Sequence, residues 1–291
     1  MIDLFKRAKQ PRITIDGASI CVWGPAGSPG KSTLAANLAC ELALAGNSVI
    51  LLDLDTYSPA QSDLFGLVDH PPGLASAARL LAQDRLDQEQ IRRLSAHFEV
   101  GEGHLSILTG LSSAARWPEI SSEKTEGLIS CASDYFDFVI VDVASHLESA
   151  VRQVGGVVDR NVASRSAISK CTLTIGIIAA DPIGVRRFLD SADAVTGLAS
   201  NLVLIANRLR TSVLGSDAKN QVKDTIQQFA GLDVATFIPA DYESCDRALL
   251  EMVPLAMLKR SSPARQAIAQ FARLNFATAL TRKTRRVAKL G

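Results

Sequence analysis

Short apolar runs recur along this 291-residue chain, and between them the apolar residues fall at helical spacing, the alternation expected of βα units. The first run, "SICVW" (19–23), leads into "KSTLAANLACELALAG", whose helical pattern stops at Gly46. A second run, "SVILLDLD" (48–55), is apolar on both faces, as a strand buried between two helical layers must be. Further strands are expected at 104–110, 136–143, 171–180, 202–208 and 233–240. These seven predict a doubly wound, mainly parallel α/β sheet with helices on both faces. Two connections are long. Residues 58–103 read as a helical excursion offering a partner or dimer surface, and 145–170, with "VGGVVDRNVASRSA", as a mobile loop.

A hydrophobic content of 47% is enough for one large α/β domain, expected over 19–270 after an N-terminal extension at 1–18. Net charge is only +1, but it is unevenly placed: from Lys259 onward there are nine Lys or Arg and no acid, which leaves about −8 on the first 258 residues. Residues 271–291 therefore form a basic appendage suited to an anionic surface, lipid or nucleic acid. Five scattered cysteines have no disulfide or zinc spacing, which points to a reduced compartment. No apolar run approaches the roughly 20 residues of a membrane span, and "MIDLFKRAKQ" lacks a secretory apolar core. The expectation is a cytoplasmic protein, free or peripheral at the inner face of the cell membrane.

The candidate chemistry begins at "WGPAGSPGKST" (23–33), a glycine-rich turn between the first strand and the first helix. Backbone N–H groups and the positive helix end there make an anion site. Against G-x-x-x-x-G-K-[ST] the first glycine is displaced: Pro25 stands in its place and Gly24 precedes it. The rest of the loop, Gly27, Ser28, Pro29, Gly30, Lys31, Ser32 and Thr33, retains what a phosphate loop needs. Lys31 would reach the β and γ phosphates and Ser32 would ligate Mg²⁺. Asp53 and Asp55 close the second strand and share the crevice at its C-terminal end. Asp53 suits holding magnesium through a water, and Asp55 suits positioning, or taking a proton from, an attacking water. Asp142 ends "FDFVIVD" in the form of a magnesium-binding Walker B strand. The histidines His70, His97, His104 and His146 have no metal-ligand spacing and read as surface or structural groups.

Taken in order, "AGSPGKST", "VILLDLD", "FDFVIVD", "LIANR" and "FIPAD" resemble the MinD/ParA-type P-loop ATPases with a deviant Walker A loop. "LTGLSSAARWPEI" and "AADPIGVRRFL" resemble most the actinobacterial MinD-like branch near the CpaE/TadZ proteins. The resemblance implies a P-loop NTPase sheet of the SIMIBI kind, ATP and Mg²⁺ as cofactors, and a homodimer formed on ATP. It also implies that Asn207 reads the adenine edge, that Pro239 lies beside the base, and that Asp181 precedes a loop near the nucleotide. In that family the loop carries a lysine that reaches the partner subunit's phosphates. Here that position is Ala26, which puts hydrolysis in doubt more than binding. Arg160 and Arg165 are candidates to replace it across a dimer.

If helical, the tail aligns Phe276, Leu280, Val287 and Leu290 on one face and Arg282, Arg285, Arg286 and Lys289 on the other, with Lys283 intruding. Such a helix suits peripheral membrane contact; packing on the domain and DNA binding are the alternatives. The leading expectation is an ATP-dependent switch that positions a protein partner, such as a pilus or secretion machine, a division site or a chromosome, with weak ATPase activity. A hydrolysis-deficient nucleotide-binding localisation scaffold is the alternative. A tyrosine-kinase reading fails because the tail contains no tyrosine.

Overall fold

The computed structural model describes residues 18–27, 29–101, 103–149, 151–153, 156–258 and 261–287, with the backbone alone for 151–153, 156–158 and 277–287. Strand β1 (Ala18–Trp23) runs into α1 (Lys31–Leu44), followed by β2 (Ser48–Leu54), α2 (Gln61–Leu64), α3 (Leu74–Leu81) and α4 (Gln88–Leu94). Next come β3 (Ala96–Val100), β4 (Gly103–Leu108), α5 (Ser122–Tyr135) and β5 (Phe138–Val143), then the short pair β6 (Val151–Gln153) and β7 (Gly156–Val158). The chain continues through α6 (Val162–Lys170), β8 (Leu173–Ala179), α7 (Pro182–Leu189), α8 (Ala192–Leu198), β9 (Leu202–Leu209) and α9 (Thr211–Leu214). It closes with α10 (Ala218–Ala230), β10 (Val234–Pro239), α11 (Tyr242–Glu251) and α12 (Pro263–Val287).

Among the described residues the main sheet has eight strands in the order β10-β9-β8-β1-β5-β2-β4-β3, all parallel except the antiparallel edge pair β3–β4. The seven strands expected from the sequence are the parallel ones, so the count rises by one. The extra strand, "AHFEV", lies within 58–103, where a helical excursion was expected. Its residues alternate in burial, and Phe98 meets Phe65 edge to face at 5.0 Å between ring centroids, an anchor that a continued α4 could not reach. The expected loop at 145–170 also contains regular structure: β6 pairs with β7, and α6 begins at Val162. The helix emerges from "VASRSAIS", whose Ala163, Ala167 and Ile168 sit at helical spacing on the core side.

Period-two alternation divides the core. Cys21 and Trp23 of β1 enter one layer, beneath α3 to α8 and α10, while Ile20 and Val22 enter the other, beneath α1 and α12. Helix α12 packs as far as Phe276, which lies edge to face with Phe138 (5.8 Å) and Phe271 (6.0 Å) and is 4% exposed. Phe276 therefore belongs to the core and not to a free apolar face of the tail, and the packed domain runs past the boundary expected at 270. The tail side chains beyond Phe276 lie outside the described residues. Among the described residues no helix is long and apolar enough to cross a membrane.

Every parallel strand points its C-terminal end to the same edge. The strand order reverses around β1, so the loops after β1, β2, β5, β8 and β9 border one crevice.

Candidate functional site

The loop between β1 and α1 takes its shape from its glycines. Gly27 and Gly30 have φ of +107° and +100°, and Gly30 is the left-handed residue from which α1 starts. The early glycine is needed for a different reason, since a Cβ on Gly24 would strike the Ile177 carbonyl of β8 and lie 2.9 Å from the Pro29 ring. The displaced glycine is thus required by the approach of the loop to its neighbouring strand, and Pro25 is buried behind it. Ser28 lies outside the described residues. The amides at the start of α1 have no side-chain cap and no acid in the first turn, so the helix end keeps its positive potential.

Lys31 donates from Nζ to Ser145 Oγ at 3.0 Å, and the Trp23 indole donates to the Ser145 carbonyl at 3.0 Å. These two bonds tie the loop after β5 to the two ends of the glycine-rich loop. No motif in the sequence singles out Ser145, although its place three residues after Asp142 is a usable signal.

Asp53 and Asp142 are direct partners in the β2–β5 register, and both are fully buried. Asp53 is saturated by the backbone: its Oδ2 accepts from Ala60 and Gln61 amides at 3.0 Å each, and its Oδ1 from Asp55 N at 3.2 Å. It therefore organises the turn into α2. Asp55, 6% exposed, accepts through Oδ1 from Tyr57 N and Ser58 N, each at 2.9 Å. Asp142 differs. Its Oδ2 accepts from Gln61 Nε2 at 2.7 Å, while its Oδ1, equally buried, has no hydrogen-bond partner among the described residues. Gln61 Nε2 also reaches the Ser32 carbonyl at 3.3 Å, so this buried amide links β5 to α1. No motif announces Gln61; only the fold brings it there.

Two adjacent buried carboxylates resist joint ionisation. Burial pushes the Asp142 carboxyl up to about 6, against the pull of the Ser32 hydroxyl, the Gln61 amide and Lys31. Asp53 is also held well above the usual carboxylate range, first by burial and then by the Asp142 charge. A divalent cation beside Ser32 and Asp142 would relieve this repulsion and use the orphaned oxygen. The donor set, a serine hydroxyl and a carboxylate, is of the hard-oxygen kind that fits magnesium. Among the described residues no cluster of three or more His, Cys, Asp or Glu side chains could hold a metal alone.

On the opposite flank a cavity of about 290 Å³ opens between α1, the ends of β9 and β10, and α11, and its walls include Gly30, Thr33, Asn207, Pro239, Tyr242 and Cys245. Asn207 and Pro239 thus line one cavity next to the loop. The Asn207 carboxamide is itself engaged: Nδ2 donates to the Pro29 carbonyl at 2.7 Å and Oδ1 accepts from Arg208 N at 2.8 Å. Arg208 has φ +58°, a strained value for a non-glycine residue. Asp181 caps α7 by accepting from Gly184 N at 2.8 Å and pairs with Arg210 at 3.7 Å.

Both loop arginines contact groups of their own chain. Arg165 pairs with Asp159 and donates to the Glu148 carbonyl at 2.8 Å. Arg160 lies over the Tyr57 ring at 3.9 Å, and His146 stacks on the same ring at 4.6 Å. Tyr57 OH donates to Asn161 Oδ1 at 2.8 Å, so the segments after β2 and β5 are locked together.

The family model described as the CobQ/CobB/MinD/ParA nucleotide binding domain matches residues 20–255. An iron-sulfur cluster carrier protein of Aquifex aeolicus is 26% identical over 251 residues, covering 84% of this chain and 63% of that protein. The ParA family ATPase of Chlorobium tepidum superposes with a TM-score of 0.70 at 19% identity, covering 88% of this chain and 97% of that one. The septum site-determining protein MinD of Pyrococcus horikoshii, solved with Mg-ADP, gives 0.68 at 18% identity and covers 88% and 94%. The chain belongs to the CobQ/CobB/MinD/ParA nucleotide-binding family.

Proposed function

We propose that this member of the MinD/ParA group is an ATP-binding switch: it dimerises on ATP and Mg²⁺, positions a partner assembly, and turns ATP over slowly. The observation that carries the reading is Asp142 Oδ1, fully buried and unpartnered among the described residues, beside Ser32 and the loop lysine. A buried acceptor left open costs about 1–3 kcal/mol, which a bound cation recovers. A structural neighbour that binds Mg-ADP supports the same assignment.

In this reading the backbone N–H groups of Gly27 and of Gly30 to Thr33 cradle the phosphates, and Lys31 turns from Ser145 to the β and γ oxygens. Ser32 and Asp142 hold magnesium, with Asp53 fixing the adjoining turn; the ion supplies charge neutralisation at the phosphates. Asp55 orients the attacking water through the oxygen not used by Tyr57 and Ser58. The cavity beside Asn207 and Pro239 takes the base. Because Lys31 bonds Ser145 in the segment after β5 and Asp142 bonds Gln61 in the segment after β2, ligand binding would loosen the Lys31–Ser145 bond and reset the Tyr57–His146 contact. That would be the switch.

A partner for such a switch is supported only by analogy with septum-positioning and ParA-type relatives. The basic residues of 271–291 would add peripheral contact with anionic lipid, with DNA as the weaker alternative. Ala26 favours a second reading, a scaffold that binds ATP without hydrolysing it, because a loop without that lysine lacks a transition-state cation. One single-turnover assay at high protein concentration, with light scattering alongside, separates them. Dimerisation with slow turnover supports the switch, dimerisation without turnover supports the scaffold, and failure to bind ATP–Mg²⁺ removes both.

A further inference from the structure

Helix α7 aims one cation at the phosphate loop. Asp181 and Pro182 start the helix, and the missing Cβ of Gly184, which would lie 2.6 Å from the Ala179 Cβ, lets it sit close on the end of β8. Val185 and Phe188 are buried and fix its rotation, so Arg187 between them projects along the crevice. Its guanidinium rests on Gly27: a Cβ built there would lie 2.9 Å from Arg187 Cζ and would collide with the nearer nitrogen. Arg187 is exposed, and its side chain has no carboxylate partner among the described residues. Its neighbour Arg186 turns away to Asp190 at 3.7 Å. At the exposed turn of the loop, Ala26 and Gly27 bring no cation of their own.

We infer that Arg187 is a phosphate-binding residue of this site, a cation delivered within the subunit from α7 to the turn at Ala26–Gly27. This deepens, and rests on, the nucleotide-binding reading. A guanidinium resting against Gly27 of a glycine-rich strand-to-helix loop, with no acid among the described residues to neutralise it, is placed for the oxygens of a nucleoside di- or triphosphate. Its position also explains why residue 27 admits no side chain, beyond the glycine's positive φ: any Cβ would displace the guanidinium from the loop.

The test is a titration of Mg-ATP, Mg-ADP and adenosine into wild type, Arg187→Ala, Arg187→Lys and Arg186→Ala, with adenosine followed by ligand-observed NMR. Arg187→Ala should weaken both nucleotides about tenfold, the scale of one charged hydrogen bond, and leave adenosine unchanged. Arg187→Lys should recover part of the loss, Arg186→Ala should match wild type, and the salt dependence of nucleotide binding should flatten in Arg187→Ala. Wild-type binding with an unaffected Arg187→Ala overturns the inference alone, as does an equal loss for adenosine, which would mark a structural role. A wild type that binds neither nucleotide overturns the nucleotide reading and this inference with it.

Discussion

The two flanks of the crevice are built on different principles. On the β5–β2 side, Asp53, Asp142 and Gln61 are fully buried, joined by hydrogen bonds of 2.7–3.0 Å, and burial opposes the ionisation of both carboxyls. On the β9–β10 side, Asn207 and Pro239 border a cavity shaped by backbone contacts, and the walls are half exposed. One flank is an electrostatic imbalance held in place by packing, the other a shape. The first should respond to charge and pH, the second to volume.

The largest effect should follow removal of the loop lysine that faces the charged flank. Lys31→Ala is expected to reduce ATP affinity by at least about 100-fold, since it removes the loop's own phosphate-reaching cation. Equilibrium binding with a fluorescent ATP analogue reads this directly, and a loss under threefold would separate the loop from phosphate binding.

Asp142→Asn probes the charged flank alone, because it should abolish the benefit of magnesium while stabilising the ligand-free protein. Raising this carboxyl from 3.8 to about 6 costs the folded state about 2–3 kcal/mol at neutral pH. Between those values the folded state keeps a proton that the unfolded state has released. Asp142 therefore makes stability fall as pH rises from about 4 through 6. Urea melts of wild type and variant should converge near pH 4 and diverge above pH 6, with the variant more stable; parallel curves would remove the argument.

On the shape side, Gly30→Ala forces a Cβ to 2.6 Å from Asn207 Nδ2 at a φ of +100°, at a cost of about 1–3 kcal/mol. Adding Asn207→Ala should return the part due to the clash and leave the part due to φ. Thermal melts of the single and double variants measure both. The smallest effect is expected for Tyr57→Phe, which removes the 2.8 Å bond to Asn161 and should cost about 0.5–1.5 kcal/mol with ATP affinity nearly unchanged. Chemical denaturation is sensitive enough to see it.

The same contrast explains what can be read from the chain. Asp142 and Lys31 are legible because strand-ending acids and a glycine loop impose their residue types locally, within a few positions of a strand. Gln61 and Ser145 are not, since their roles come from distant pairings, Gln61 with Asp142 and Ser145 with Lys31, that only the folded sheet creates. Asn207 and Pro239 are reached through family resemblance, as the wall of a cavity has no required chemistry. All seven parallel strands are legible from their apolar runs. The edge strand at Ala96–Val100 escapes because its alternation is short and follows directly on a helix. Arg187 escapes for a related reason: in "GVRRF" two arginines look alike, and only the rotation of α7 distinguishes them.

If the buried imbalance at Asp142 makes a magnesium-dependent phosphate site, isothermal titration calorimetry of ATP, with Mg²⁺ and with EDTA, must distinguish wild type from Asp142→Asn. Magnesium should tighten ATP binding at least about tenfold in wild type and have no effect in Asp142→Asn. Equal magnesium dependence in both proteins, or none in either, would refute the assignment.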